Sequence, residues 1–221
     1  MEAVYPDEVQ RSHAHPQPRS EEETRRVIIG AATQEFLEHG FSASMDRVAR
    51  RAGVSKKTIY RVVARKAALL GALLAERRES LWLPADASRI EPLAPREALE
   101  YMLGKVARQA LSREFIGICR VMSAESIHFP GLAPTFYNEE PKHSIDLIAA
   151  LLERFRSRGL LNLQDTSAGA AMLLHMITGP SFTTTILGIE DTPDEDTINQ
   201  RVRDGVRIFL QGCATADGTA E

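Results

Sequence analysis

Between Ser55 and Arg61 the sequence S-K-K-T-I-Y-R sets hydroxyl, ammonium, phenol and guanidinium groups on neighbouring residues, with Ile59 as the lone aliphatic side chain. The hydroxyls of Ser55 and Thr58 suit either a phosphate oxygen or a base edge. Lys56, Lys57 and Arg61 supply cationic donors for phosphates and for the acceptor edge of guanine. Tyr60, one helical turn after Lys56, can donate its O–H to a phosphate. Lys66 follows at a position suited to clamping a sugar–phosphate backbone. Ser44, earlier in the chain, opens a helix whose first amides form an anion site. Together these groups have the chemistry of duplex DNA recognition: an outer face of donors on a thin apolar underside.

Charge concentrates in the same place. From residue 39 to 66 there are eight basic residues (Arg47, Arg50, Arg51, Lys56, Lys57, Arg61, Arg65, Lys66) and one acidic residue, Asp46. The surplus of seven positive charges sits in a chain of formal net charge −3, so the rest of the molecule carries −10. A basic island on an acidic body is the footprint of a polyanion site. Arg50 and Arg51 read as solubilising charge.

The elements that must hold these groups follow from residues 41–70, F-S-A-S-M-D-R-V-A-R-R-A-G-V-S-K-K-T-I-Y-R-V-V-A-R-K-A-A-L-L. Met45, Val48 and Ala49 recur at helical spacing and form one buried face. Gly53 ends that helix, because glycine adopts the left-handed conformation of a tight turn without a Cβ penalty. Val54 fills the corner, and Ser55 caps a second, short helix. Two helices joined by such a turn make a helix-turn-helix unit.

This segment resembles the N-terminal domain of the TetR (tetracycline repressor) family of transcriptional regulators. The likeness rests on Phe36, Gly40 and Phe41, on Ser44, Met45, Val48 and Ala49, on A-G-V-S-K-K-T-I-Y over 52–60, and on Lys66, Leu69 and Leu70, and covers about residues 22–74. It implies DNA contacts at Ser44, Lys56, Thr58, Tyr60 and Lys66, action as a homodimer on a palindromic operator, and a C-terminal helical domain for ligand and partner. Two features depart from the pattern. The loop before the second helix is one residue shorter, and Val62-Val63 stands where the family often has a histidine or tyrosine and then phenylalanine.

The remainder reads as all-α: a three-helix helix-turn-helix domain over 20–66 and a helical ligand-binding and dimerisation bundle over 67–213. The Pro-rich polar stretch 1–19 reads as a disordered arm, and 214–221 as a frayed tail. Ser20 with Glu23 has capping-box spacing at the start of the first helix. A long helix over 65–83 should close at Pro84, followed by a Pro-rich link over 90–95. Helices are expected over 96–111, 113–127, 132–137 and 141–158. A further helix from 165 to 187 should be interrupted at Gly179-Pro180, and a last one should run from Pro193 to near Gly212. No stretch is long and apolar enough for a bilayer span, and the N-terminus lacks a secretory core segment. Cys119 and Cys213 read as buried free thiols in a reducing cytoplasm.

Three readings of the C-terminal half compete. In the first, Phe115, Cys119, Met122, Phe136, Met172, Met176 and Phe182 line an apolar cavity for a small effector, with His175 or His128 as polar anchor; ordinary core packing is the bland account of each residue. The resemblance adds that the helices over 141–158 and 165–187 pair with their copies in the homodimer. In the second, Glu125/His128 and Glu140/His143 are E-x-x-H pairs of the kind di-iron bundles use, although they are offset by only 15 positions, with Pro130, Gly131 and Pro134 between them and Pro141 inside the second pair. The third is an interaction protein that has lost DNA binding, against which the intact 56–60 pattern and Lys66 argue. No nucleophile motif or phosphate-cradling glycine loop is present, no cofactor is implied, and an enzyme is not expected.

Overall fold

Ser20 opens the first helix by the reciprocal bonds its spacing predicts: its Oγ accepts from the Glu23 N–H at 3.1 Å, and Glu23 accepts from the Ser20 N–H at 2.8 Å. The computed structural model describes residues 20–63 and 66–213. The arm expected over 1–19 and the tail over 214–221 lie outside the described residues, as do Ala64 and Arg65. Helix α1 (Glu21–His39) leads through a 3-10 turn, Gly40–Ser42, into α2 (Met45–Ala52). Gly53 then takes φ 64°, ψ 35°, the left-handed cap the tight turn requires. Helix α3 (Lys56–Val62) follows, and Val63 leaves it in an extended conformation.

Helix α4 (Lys66–Leu81) enters a bundle of α5 (Pro84–Ile90), α6 (Pro95–Ala110), α7 (Arg113–Glu125), α8 (Leu132–Glu139), α9 (Pro141–Ser157), α10 (Thr166–Ile186) and α11 (Glu195–Cys213). The fold is all-α, as expected, with two corrections. Pro84 opens a helix instead of closing one, because proline at the first helical position loses no hydrogen bond and already has helical φ. Asp86 accepts from the Leu83 N–H at 2.7 Å and seals that end. Helix α10 also runs unbroken through Gly179-Pro180. Proline removes only the one amide that would bond the Met176 carbonyl, and the helix continues to Ile186.

Two apolar cores result. The first gathers α1–α4 around Ile28, Phe36, Val48, Ile59 and Leu73, and takes Ile118 and Met122 from α7. The second packs α6, α9, α10 and α11 around Leu99, Leu103, Leu152, Phe155 and Leu173. Helix α4 belongs to both, giving Leu69, Leu70, Leu73 and Leu74 to the first and Leu81 to the second. Each fully buried leucine stabilises its core by about 1.5–3 kcal/mol. Neither end of α4 can therefore move without disturbing a core.

Candidate functional site

Helix α3 is held from below by Ile59, which is fully buried, while Ser55, Lys56, Lys57, Tyr60 and Arg61 are exposed. The expected donors thus share one outer face, although several have intramolecular duties. Ser55 Oγ caps α3, accepting from the Thr58 N–H at 3.0 Å, and the two hydroxyls lie 2.8 Å apart, leaving Thr58 half-buried. Lys56 Nζ donates to Asp46 at 2.9 Å, and that bond raises the lysine pKa. Ser44 caps α2 through the Arg47 N–H at 3.3 Å. Lys66 is half-buried with Nζ 5.9 Å from the centre of the Phe36 ring, and burial lowers its pKa against the opposing pull of Glu125. Val62 and Val63 both pack on the first core.

Arg51 is more than a solubilising charge. Glu35 of α1 is only 3% exposed. Its two oxygens accept from Arg47 Nε at 2.8 Å and Arg51 Nε at 2.7 Å, and Arg51 also donates to Glu38 at 2.8 Å. The Arg47 hydrogen bond, more than offsetting burial, together with Arg51 holds the Glu35 carboxyl below its usual range. Two of the eight basic residues therefore fasten α2 to α1. Sequence alone hid this clamp, because Glu35 lies 12 and 16 positions from its partners.

A cavity of about 460 Å³ lies among α6, α7, α8, α9 and α10. It brings together Phe115, Cys119, Phe136, His175 and Phe182 of the expected set, with Phe115 and Phe136 stacked at 5.8 Å between ring centres. Met122 packs in the first core instead. Met172 and Met176 are 68% and 42% exposed on α10. That helix is apolar on almost every side, so spacing could not tell its inner face from its outer one. His175 Nδ1 lies 2.7 Å from the Ala171 carbonyl, and His128 is exposed away from the cavity. Burial pushes the Cys119 thiol up to about 12, so it packs as an apolar group.

The cavity wall contains a carboxyl group that sequence reasoning assigned elsewhere. Glu140, just before α9, is 4% exposed. Its nearest donors are Gln109 Nε2 at 3.4 Å and Arg77 Nε at 3.5 Å, and neither Glu140 Oε1 nor Arg77 Nε has a hydrogen-bond partner. Burial pushes the carboxyl up to about 7 against the pull of Arg77. Arg77 belongs to α4 and donates to Glu114 at 2.7 Å, and its neighbour Arg78 donates to Glu139 at 2.6 Å. The helix leaving the basic domain is thereby ion-paired to the cavity rim.

The E-x-x-H pairs do not form a metal centre among the described residues. Three ligand atoms do cluster, from Glu35, Glu38 and His39, but Arg47 and Arg51 occupy those carboxylates. Glu140 faces Arg77, whose guanidinium cannot be a co-ligand. Among the described residues no helix is long and apolar enough to cross a membrane.

Known proteins agree with the geometry. Residues 28–73 match bacterial regulatory proteins of the tetR family, and residues 97–213 match the C-terminal domain of AefR-like transcriptional repressors. Over 63 residues the chain is 43% identical to the HTH-type transcriptional regulator SrpR of Pseudomonas putida, a match spanning 28% of this chain and 30% of that regulator's length. The flavonoid-responsive regulator FrrA is 33% identical, with 87% of this chain and 98% of FrrA covered at a TM-score of 0.66. A TetR-family regulator from Mesorhizobium loti MAFF303099 superposes with a TM-score of 0.78 at 19% identity, covering 90% of this chain and 100% of that one. With the basic helix-turn-helix at one end and a matching C-terminal domain at the other, the chain belongs to the TetR family of transcriptional regulators.

Proposed function

We propose that this regulator is a cytoplasmic homodimeric repressor that binds a palindromic operator and is released by a small, largely apolar molecule held in the cavity. The observation that carries the reading is the double attachment of α4. Its first half is part of the DNA-binding core, and Arg77 and Arg78 in its second half pair with Glu114, Glu139 and Glu140, of which Glu140 lines the cavity. A ligand that moves this rim tilts α4, and α3 moves with the core to which α4 is fixed. Release requires that the ligand prefer the non-binding spacing of the two recognition helices, typically by about 1–3 kcal/mol. The similarity to AefR-like repressors and to a regulator described as flavonoid-responsive supports both repression and small-molecule control.

Ser44, Ser55, Lys56, Lys57, Thr58, Tyr60, Arg61 and Lys66 remain the proposed DNA contacts. Lys56 exchanges Asp46 for the DNA, and Lys66 leaves its place beside Phe36. The homodimer interface is proposed on α10 and α11 in place of 141–158 with 165–187. The apolar residues Ile148, Leu151, Leu152 and Phe155 of α9 are already buried inside the protomer, whereas Met172 and Met176 of α10 and Ile208 of α11 are exposed.

Footprinting the DNA that flanks the regulator's own gene tests the reading. A protected two-fold symmetric site is expected, its half-sites about 34–36 Å apart or a multiple of that. Apolar compounds that raise the protein's melting temperature should release it. Absence of protection, or stabilising compounds that never release DNA, overturns it.

A further inference from the structure

The cavity wall is not uniformly apolar, and its polar part is incomplete. Glu140 is almost fully buried, yet its contacts at 3.4 and 3.5 Å are longer than a charge-assisted hydrogen bond, which runs about 2.7–2.9 Å. A buried carboxylate accepts up to four hydrogen bonds, and leaving such a group under-bonded is costly. Its acid strength reports the same shortfall, since burial holds it near 7 despite the adjacent arginine. Two other polar groups in the wall already have partners. Thr178 Oγ1 already donates to Leu174 O, and His175 Nδ1 lies against Ala171 O. The same cavity is lined by the stacked pair Phe115 and Phe136 and by Phe182, which supply aromatic surface.

We infer that the cavity selects neutral aromatic molecules bearing a hydroxyl, with the ring against Phe115, Phe136 and Phe182 and the hydroxyl donating to Glu140. This deepens, and rests on, the ligand-controlled reading above. A neutral donor is favoured over a cation because Arg77 already stands 3.5 Å from Glu140, and a second buried cation there would be repelled by it. Glu140 also makes the ligand's donor legible to α4. A carboxylate drawn toward a hydroxyl loosens its hold on Arg77, whose remaining acceptor is Glu114.

Calorimetric titration of the full-length protein with 2-naphthol, naphthalene and the protonated amine 1-naphthylmethylammonium tests the assignment. A net hydrogen bond to a charged group is worth about 1.5–3 kcal/mol, so 2-naphthol is expected to bind roughly ten- to a hundred-fold more tightly than naphthalene. The ammonium should bind no better than naphthalene. In Glu140→Met the naphthol advantage should vanish while naphthalene affinity is kept. Should that variant fail to fold, the wild-type series still decides. Equal binding of naphthol and naphthalene, or tighter binding of the ammonium than of naphthol, overturns the donor assignment but leaves the cavity reading intact. If no naphthalene compound binds, and filling the cavity by Ala110→Phe leaves release by every other apolar compound unchanged, the cavity reading falls as well.

Discussion

In the free protein Lys56 reaches across the turn between α2 and α3 to Asp46, and both side chains are more than half exposed. Solvent screens such a pair, so exchanging it for a DNA acceptor is easy. Asp46→Asn is therefore expected to tighten binding to operator and random DNA alike, by roughly two- to five-fold, because one repelling charge leaves the phosphate face. Fluorescence anisotropy with both duplexes measures this, and weaker binding would contradict it. Lys56→Ala should differ by changing base preference in a randomised operator library, whereas Lys66→Ala should weaken all sequences equally. Asp86 offers a test of stability. Burial alone would raise its pKa, but bonds from Lys105, Tyr101 and the Leu83 N–H outweigh that and hold it at about 2. Its folded value lies below its unfolded one, so its contribution is fully present above about pH 4 and is lost as pH falls through about 2. Asp86→Asn is expected to lower unfolding free energy by roughly 2–3 kcal/mol at pH 7, and the gap to wild type should close in melts run from pH 4 down to pH 2.

Which elements could be read from the sequence depends on how local their causes are. Ser20, Ser44 and Ser55 each cap a helix where expected, because a cap involves residues two or three apart. The left-handed Gly53 is equally local. Pro84 misled because proline both stops and starts helices, and only Asp86 three residues beyond Leu83 decides between them. The place of Glu140 in the cavity wall could not be found, since it sits in the polar run N-E-E-P-K-H and its partners Arg77 and Gln109 lie far off on α4 and α6. The seam between α10 and α11 was hidden for the same reason. There Gly205 lets the helices approach so closely that an added Cβ would lie 2.6 Å from Ile177 Cγ1. Gly205→Ala is accordingly expected to cost about 1–3 kcal/mol in urea unfolding, by overpacking. An unchanged or raised midpoint would show that the seam yields more easily than its spacing implies.

At the scale of the whole molecule, DNA affinity and oligomeric state are one question. A single helix-turn-helix reads few bases, so a palindromic operator needs two protomers related by a two-fold axis. Met172, Met176 and Ile208 are large, apolar and exposed on α10 and α11, and Met176 Sδ lies 3.9 Å from a Cβ built on Gly205, which places both helices at the same seam. In the self-complementary interface proposed for that seam, a charge at Met172 would be buried against its own copy or another apolar residue. Met172→Glu is thus expected to turn a dimer into a monomer in sedimentation at micromolar concentration. The α10 residues that line the cavity include Leu174, Thr178 and Phe182 but not Met172, so ligand binding should persist in the variant. Operator binding should not, and the residual binding should carry a signature. Each phosphate neutralised contributes about −0.9 to the slope of log K against log salt. One protomer neutralises half as many phosphates as two, so the salt slope of the variant should be about half that of the wild type. A wild-type protein that sediments as a monomer, or a monomeric variant that keeps the full salt slope on the operator, would place the second half-site's contacts somewhere other than in a second copy of this chain.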